Sequence, residues 1–227
     1  MKRQLYSVGI SGLLILLLAA GSSWAVSIDL SGNRYPSLSA DVEFEYVAEN
    51  PGIGYIHIDI ANNSSVPVGE DPRLTAFAFN LPDGVSYGNW LMQPPGIDSW
   101  EVISRTNGIN TPDQFGMFDI AFVTGPNFNG GSPNDGIAVG QSFHFEIRLN
   151  GTGMDALTEA SFLNLSSTAV NGHLNPQNFI ARFQQVGPGG GGSDVAIPGT
   201  AVPEPSTLLL LGIGLVGIAG IGRKKRI

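Results

Sequence analysis

The chain has 227 residues, enough for one domain or two. It contains no cysteine, which excludes disulfides, a thiolate nucleophile and any cysteine-ligated metal. Its net charge of −8 conceals a sharp asymmetry. Residues 26–202 hold 18 of the 19 acidic residues and 5 of the 11 basic ones, a net −13 with no lysine. Such a surface repels phosphate backbones, so nucleic acid is not an expected partner.

The N-terminus begins with Lys2 and Arg3, continues into an apolar run at Leu13–Ala20, and ends in Ser22-Ser23-Trp24-Ala25. Small residues stand at the two positions a signal peptidase reads, Ser23 and Ala25. The three-part pattern predicts a secretory signal over residues 1–25, handled by the Sec machinery and cut between Ala25 and Val26. The apolar run is short for an uncleaved anchor, which needs about 20 residues.

From Val26 onward, strand periodicity dominates. Val42–Tyr46, Ile56–Ile60, Thr75–Leu81 and Phe118–Phe122 all alternate apolar and polar or small residues. Phe143–Leu149 is the clearest case, with Phe143, Phe145, Ile147 and Leu149 on one face and His144, Glu146 and Arg148 on the other. Phe162–Leu165 and Phe179–Val186 are two further strand candidates. Alternation of this kind marks strands with one buried and one wet face. Turns are predicted at Asn50-Pro51-Gly52, Pro82-Asp83-Gly84, Pro94-Pro95-Gly96, Asn107-Gly108 and Asn134-Asp135-Gly136. The fold expectation is all-β: an antiparallel β-sandwich over 26–186, Ig-like or cohesin-like, with a jelly roll as the other fitting topology.

Within this body the candidate chemistry is sparse. His144 and Glu146 share one face of a strand, as do His57 and Asp59, so each pair forms a two-ligand corner. Neither makes a zinc motif such as His-Glu-x-x-His, and no metal site is assigned. The third histidine is His173, and no nucleophile elbow is present. No catalytic residue is assigned, and the chain reads as a non-enzyme. The loop at 127–136 offers Asn and Asp oxygens to Ca²⁺, but Asp135 is its only carboxylate. Trp90 and Trp100 flank Gln93-Pro94-Pro95-Gly96 and are candidates for stacking on sugar rings. Large aromatics also fill cores, and that reading stands beside the first.

Residues 187–202 open with Gly187-Pro188-Gly189-Gly190-Gly191-Gly192-Ser193 and continue to Ile197-Pro198-Gly199, which reads as a flexible linker. Then come Pro203-Glu204-Pro205, an uncharged apolar stretch at Thr207–Ile221, and a basic end, Arg223-Lys224-Lys225-Arg226. Fifteen helical residues measure about 22 Å, against about 30 Å of hydrocarbon. The basic end is expected to stay cytoplasmic by the positive-inside rule, which puts the body on the outer side of the inner membrane. Two prolines hold the preceding segment extended, as a cleaving enzyme requires.

The tripeptide, the Leu- and Gly-rich helix and the terminal basic cluster, in that order over residues 203–227, resemble the PEP-CTERM sorting signal. The resemblance implies a Gram-negative bacterium that makes extracellular polysaccharide. It also implies an exosortase, a membrane-embedded transpeptidase-like enzyme that acts near Pro203, Glu204 and Pro205. The expected life history is an inner-membrane precursor, then release to the cell surface or extracellular matrix. The expected role is structural or adhesive, tied to exopolysaccharide and biofilm. A carbohydrate-binding module is the alternative, and a secreted hydrolase a third class.

Overall fold

The computed structural model describes residues 25–65, 70–92, 99–169 and 175–199. Ten strands follow in chain order: β1 (Val26–Gly32), β2 (Ser39–Asn50), β3 (Ile53–Asn62), β4 (Arg73–Phe79), β5 (Ser86–Met92), β6 (Glu101–Asn110), β7 (Met117–Val123), β8 (Ser142–Asn150), β9 (Phe179–Val186) and β10 (Gly192–Pro198). Among the described residues one short α-helix, α1 (Glu159–Leu163), and three single 3-10 turns interrupt them. All ten strands form one antiparallel sheet in the order β5-β8-β3-β2-β1-β10-β9-β4-β7-β6. The sheet folds over on itself into a nearly closed sandwich, so the expected all-β class holds.

Aromatic side chains from the two halves meet between the layers. Phe44 of β2 lies edge-on to Phe79 of β4 at 5.4 Å, and Phe145 of β8 edge-on to Phe77 of β4 at 5.1 Å. Phe77 stacks on Phe122 of β7 at 4.4 Å. Burial of such rings supplies the main drive to fold, because each removes a large apolar surface from water. A chain without disulfides must rest on such apolar burial.

The two halves differ on their outer faces. On β4, β7 and β9 the outward positions include Ala76, Ala78, Ala121 and Ile180, which are buried. The small alanines leave room for Phe115, Phe118 and Phe128 to cover that side, making a second apolar cluster with Ile109 and Val195. On β2, β3 and β8 the outward positions include Asp41, Glu43, Glu45, His57, Asp59, His144, Glu146 and Arg148, with Val47 and Tyr55 toward one end. This second face is solvent-exposed among the described residues, with Met92 of β5 opposite Glu146 at its edge.

Several local expectations hold. Asn50-Pro51-Gly52 turns β2 into β3, with the Asn50 Oδ1 accepting from the Gly52 N–H at 2.8 Å. Pro82-Asp83-Gly84 turns β4 toward β5, closed by a Val85 N–H to Pro82 C=O bond of 3.0 Å. Gly84 has φ +78°, a conformation glycine adopts without strain.

Others are corrected. The expected strand at Phe162–Leu165 is instead the end of α1, which Thr158 and Ser161 open with a capping box. Asn107-Gly108 does not end a strand: it lies inside β6, where the pairing register to β7 shifts between Ser104 and Ile109 and Gly108 takes φ +80°. The largest correction concerns the expected linker. Gly187–Gly191 is a turn, but Gly192–Pro198 is β10, hydrogen-bonded to β9 on one side and β1 on the other. The folded body therefore reaches Pro198 rather than stopping at 186. β10 joins the two halves of the sheet, and its Asp194 is 8 % exposed.

Candidate functional site

The antiparallel pairing of β3 with β8 sets His57 opposite Glu146 and Asp59 opposite His144. Residues directly opposite on one face of such a pair have Cβ atoms about 4.5–5.5 Å apart. The two separate corners read from the sequence thus become one cluster. The His144 Nδ1 lies 2.9 Å from the Asp59 Oδ1, and the His57 Nδ1 lies 3.9 Å from the Glu146 Oε2. The two imidazole centroids are 6.1 Å apart. A nitrogen from each histidine and a carboxylate oxygen of Glu146 fall within 4.8 Å of one another. On β2, Glu45 stands opposite His57 and Glu43 opposite Asp59, so acidic groups flank the cluster on that side. Arg148, two residues along β8 from Glu146, is the nearest cation in the pairing register.

His173 lies outside the described residues. His57 and His144 are brought together by the β3–β8 register. That register joins residues 85 positions apart in the chain.

The two tryptophans go inward. Trp100 is 1 % exposed, its Nε1–H donates to the Asp135 carbonyl at 2.9 Å, and its ring sits 5.1 Å from Phe145. Trp90 on β5 is half-buried, edge-on to Phe122 at 5.2 Å and stacked on Phe145 at 5.9 Å. As a stacking platform for sugars Trp100 is therefore withdrawn, because its faces are occupied by protein. The residues between these rings, 93–98, lie outside the described residues.

The loop at 127–136 is tied down locally. The Asn127 Oδ1 accepts from the Gly130 N–H at 2.7 Å, and Phe128 is fully buried in the second apolar cluster. Asn127 is committed to its own turn, and the Asp135 carbonyl to Trp100.

A half-buried cation stands on the far side of the body. Desolvation lowers the pKa of Arg182, whose guanidinium donates to the Phe128 carbonyl at 3.0 Å. It lines a shallow depression with Arg34, Asn129 and Asp194.

The remaining predicted site residues, Pro203, Glu204, Pro205 and Arg223, Lys224, Lys225, Arg226, lie outside the described residues, as does the apolar stretch at 207–221. Among the described residues no helix is long and apolar enough to cross a membrane. Comparison with known families decides the nature of the tail: residues 201–226 match the PEP-CTERM protein-sorting motif. The chain carries a PEP-CTERM sorting signal. No curated protein and no solved structure matches the chain. The motif implies an exported protein, membrane-anchored before processing, with an exosortase as processing partner. It begins three positions after β10 ends at Pro198.

Proposed function

We propose that this protein is a structural or adhesive component of the bacterial surface or its exopolysaccharide matrix, delivered as an exosortase substrate. The observation that carries the reading is the sorting motif at 201–226 following almost directly on a strand of a disulfide-free β-sandwich. In this reading the Sec machinery exports the chain and signal peptidase cuts between Ala25 and Val26. β1 begins at Val26, so the cut would leave the sheet whole. The exosortase then acts near Pro203-Glu204-Pro205, and the body leaves the inner membrane as a self-sufficient fold. The acidic wet face of β2, β3 and β8 keeps the body soluble and unattached to anionic envelope polymers except at chosen contacts. The role is binding or scaffolding rather than catalysis.

The test is a deletion strain. Loss of the gene should weaken cell-to-cell cohesion and matrix retention, and immunolabelling should place the restored protein at the surface or in the matrix. Unchanged cohesion, with the body found only in the inner membrane, would sink the proposal.

A further inference from the structure

The cluster on the wet face supports a second kind of chemistry, independent of the sorting signal. We infer that His57, His144 and Glu146 form a site for a divalent cation of the zinc–copper class. Two imidazoles and one carboxylate are a known ligand set for such ions, with the remaining position open to water or an outside ligand. Tetrahedral zinc with Zn–N bonds of about 2.0–2.1 Å holds its ligand atoms about 3.4 Å apart. The three atoms already lie within 4.8 Å of one another, close to that spacing.

The support around the cluster has the form that metal sites use. Asp59 accepts from the His144 Nδ1–H at 2.9 Å and so holds that ring in the tautomer whose Nε2 carries the free lone pair. Both histidines rise from adjacent strands of a ten-stranded sheet, whose inward neighbours Ile56, Ile58, Phe145 and Ile147 are fully buried. The ligands are thus mounted on rigid elements rather than on a loop. Glu43 and Glu45 add negative charge beside the site, which raises the local concentration of cations. Imidazole nitrogens favour late first-row transition ions over Mg²⁺ and Ca²⁺, which prefer oxygen.

The experiment uses the untagged full-length chain, purified in detergent and stripped with a chelator. ZnCl₂ is titrated calorimetrically, and CoCl₂ is followed by its visible ligand-field bands. The inference predicts one saturable Zn²⁺ per chain and a Co²⁺ spectrum with imidazole ligation. Removing a mere outer-shell partner of a metal typically costs about 10–100-fold in affinity, so H57Q and H144N should each weaken binding at least that much. D59N should weaken it less, and H173Q should bind as the unaltered chain does. Because the His57, His144 and Asp59 side chains lie on the solvent-facing side of the sheet, circular dichroism of H57Q, H144N and D59N should show the fold unchanged. Absence of saturable Zn²⁺ binding overturns the inference. So does equal binding by H57Q and the unaltered chain, or loss of binding in H173Q alone. Displacement of Zn²⁺ by equimolar Mg²⁺ would show a diffuse acidic surface instead and would also overturn it.

Discussion

Asp194 discriminates between a linker and a strand in the Gly-rich segment. Its Oδ2 accepts from the backbone N–H groups of Arg34 and Tyr35, both at 2.9 Å, and its Oδ1 from its own neighbour Val195. The carboxylate thereby pins β10 to the connection between β1 and β2, where the Asn33 N–H also donates to the Val195 carbonyl. Hydrogen bonds to a charged acceptor are worth about 1.5–3 kcal/mol each, and orphaned amides add a desolvation cost. The amides of Arg34 and Tyr35 are only part-buried and regain some water, so D194A is expected to cost about 3 kcal/mol. For a body of this size that lowers the melting temperature by about 6–12 °C. Ser193, the exposed neighbour, serves as control: S193A should stay within about 0.5 kcal/mol. The assay is thermal and urea melting of residues 26–199. Equal, negligible effects at the two positions would mean that 187–198 is a tether and that β10 adds nothing to the fold.

Two further expectations follow from the body. F145A should cost about 3–5 kcal/mol, since Phe145 is fully buried among Phe77, Trp90, Trp100 and Phe122, whereas H144A, facing water, should stay within about 1 kcal/mol; urea melts showing equal costs would refute the facing of β8. Burial, and then the nearby Asp155 charge, raise the pKa of Tyr46, whose hydroxyl donates to the Met154 carbonyl at 2.8 Å. The folded state therefore holds this proton more tightly than the unfolded chain. The resulting stability is complete below the ordinary tyrosine pKa of about 10 and is lost as pH climbs past it. Y46F should be less stable at neutral pH by about 1 kcal/mol and show a shallower alkaline decline in melting temperature, with Tyr87, raised by burial too, retaining part of the slope. An identical decline in both proteins would remove Tyr46 from the account.

The parts of the fold legible in the sequence are those where alternation is carried by large side chains. β2, β3, β4, β7, β8 and β9 announce themselves through Val42-Phe44-Tyr46, Ile56-Ile58-Ile60, Phe77-Phe79, Phe118-Ile120-Phe122, Phe143–Leu149 and Phe179–Val186. β10 does not, because Val195 and Ile197 sit in a segment dominated by glycine and proline. Its strand character comes from partners at β1 and β9 rather than from its own composition. β6 was masked by Asn107-Gly108, a turn dipeptide that the sheet absorbs as an irregularity. Phe162 and Leu163 carry the same apolar signal as a strand, yet they lie in a short helix opened by the Thr158/Ser161 capping box. At the site, His57 with Asp59 and His144 with Glu146 are each visible within one strand. Their meeting depends on a register set by the long β3–β8 pairing, which no local pattern encodes. Trp100 could equally fill a core or face a sugar, and the acceptor at Asp135 that seats its Nε1–H inside is a loop carbonyl without a sequence signature.

The central claim is that the tail is a signal that is removed, not a lasting anchor. Its apolar stretch is short and carries Gly212, Gly214, Gly217 and Gly220, each lowering helix propensity by about 1 kcal/mol relative to alanine, so it suits capture by a membrane enzyme better than standing alone in lipid. Intact-mass measurement of the protein from envelope and extracellular fractions, with and without the host exosortase, tests this directly. The account predicts a mature chain that begins at Val26 and ends near Pro203-Glu204-Pro205 when the exosortase is present, and a chain keeping Ile227 in the inner membrane when it is absent. A chain that keeps Ile227 and stays in the inner membrane with the exosortase present would contradict it.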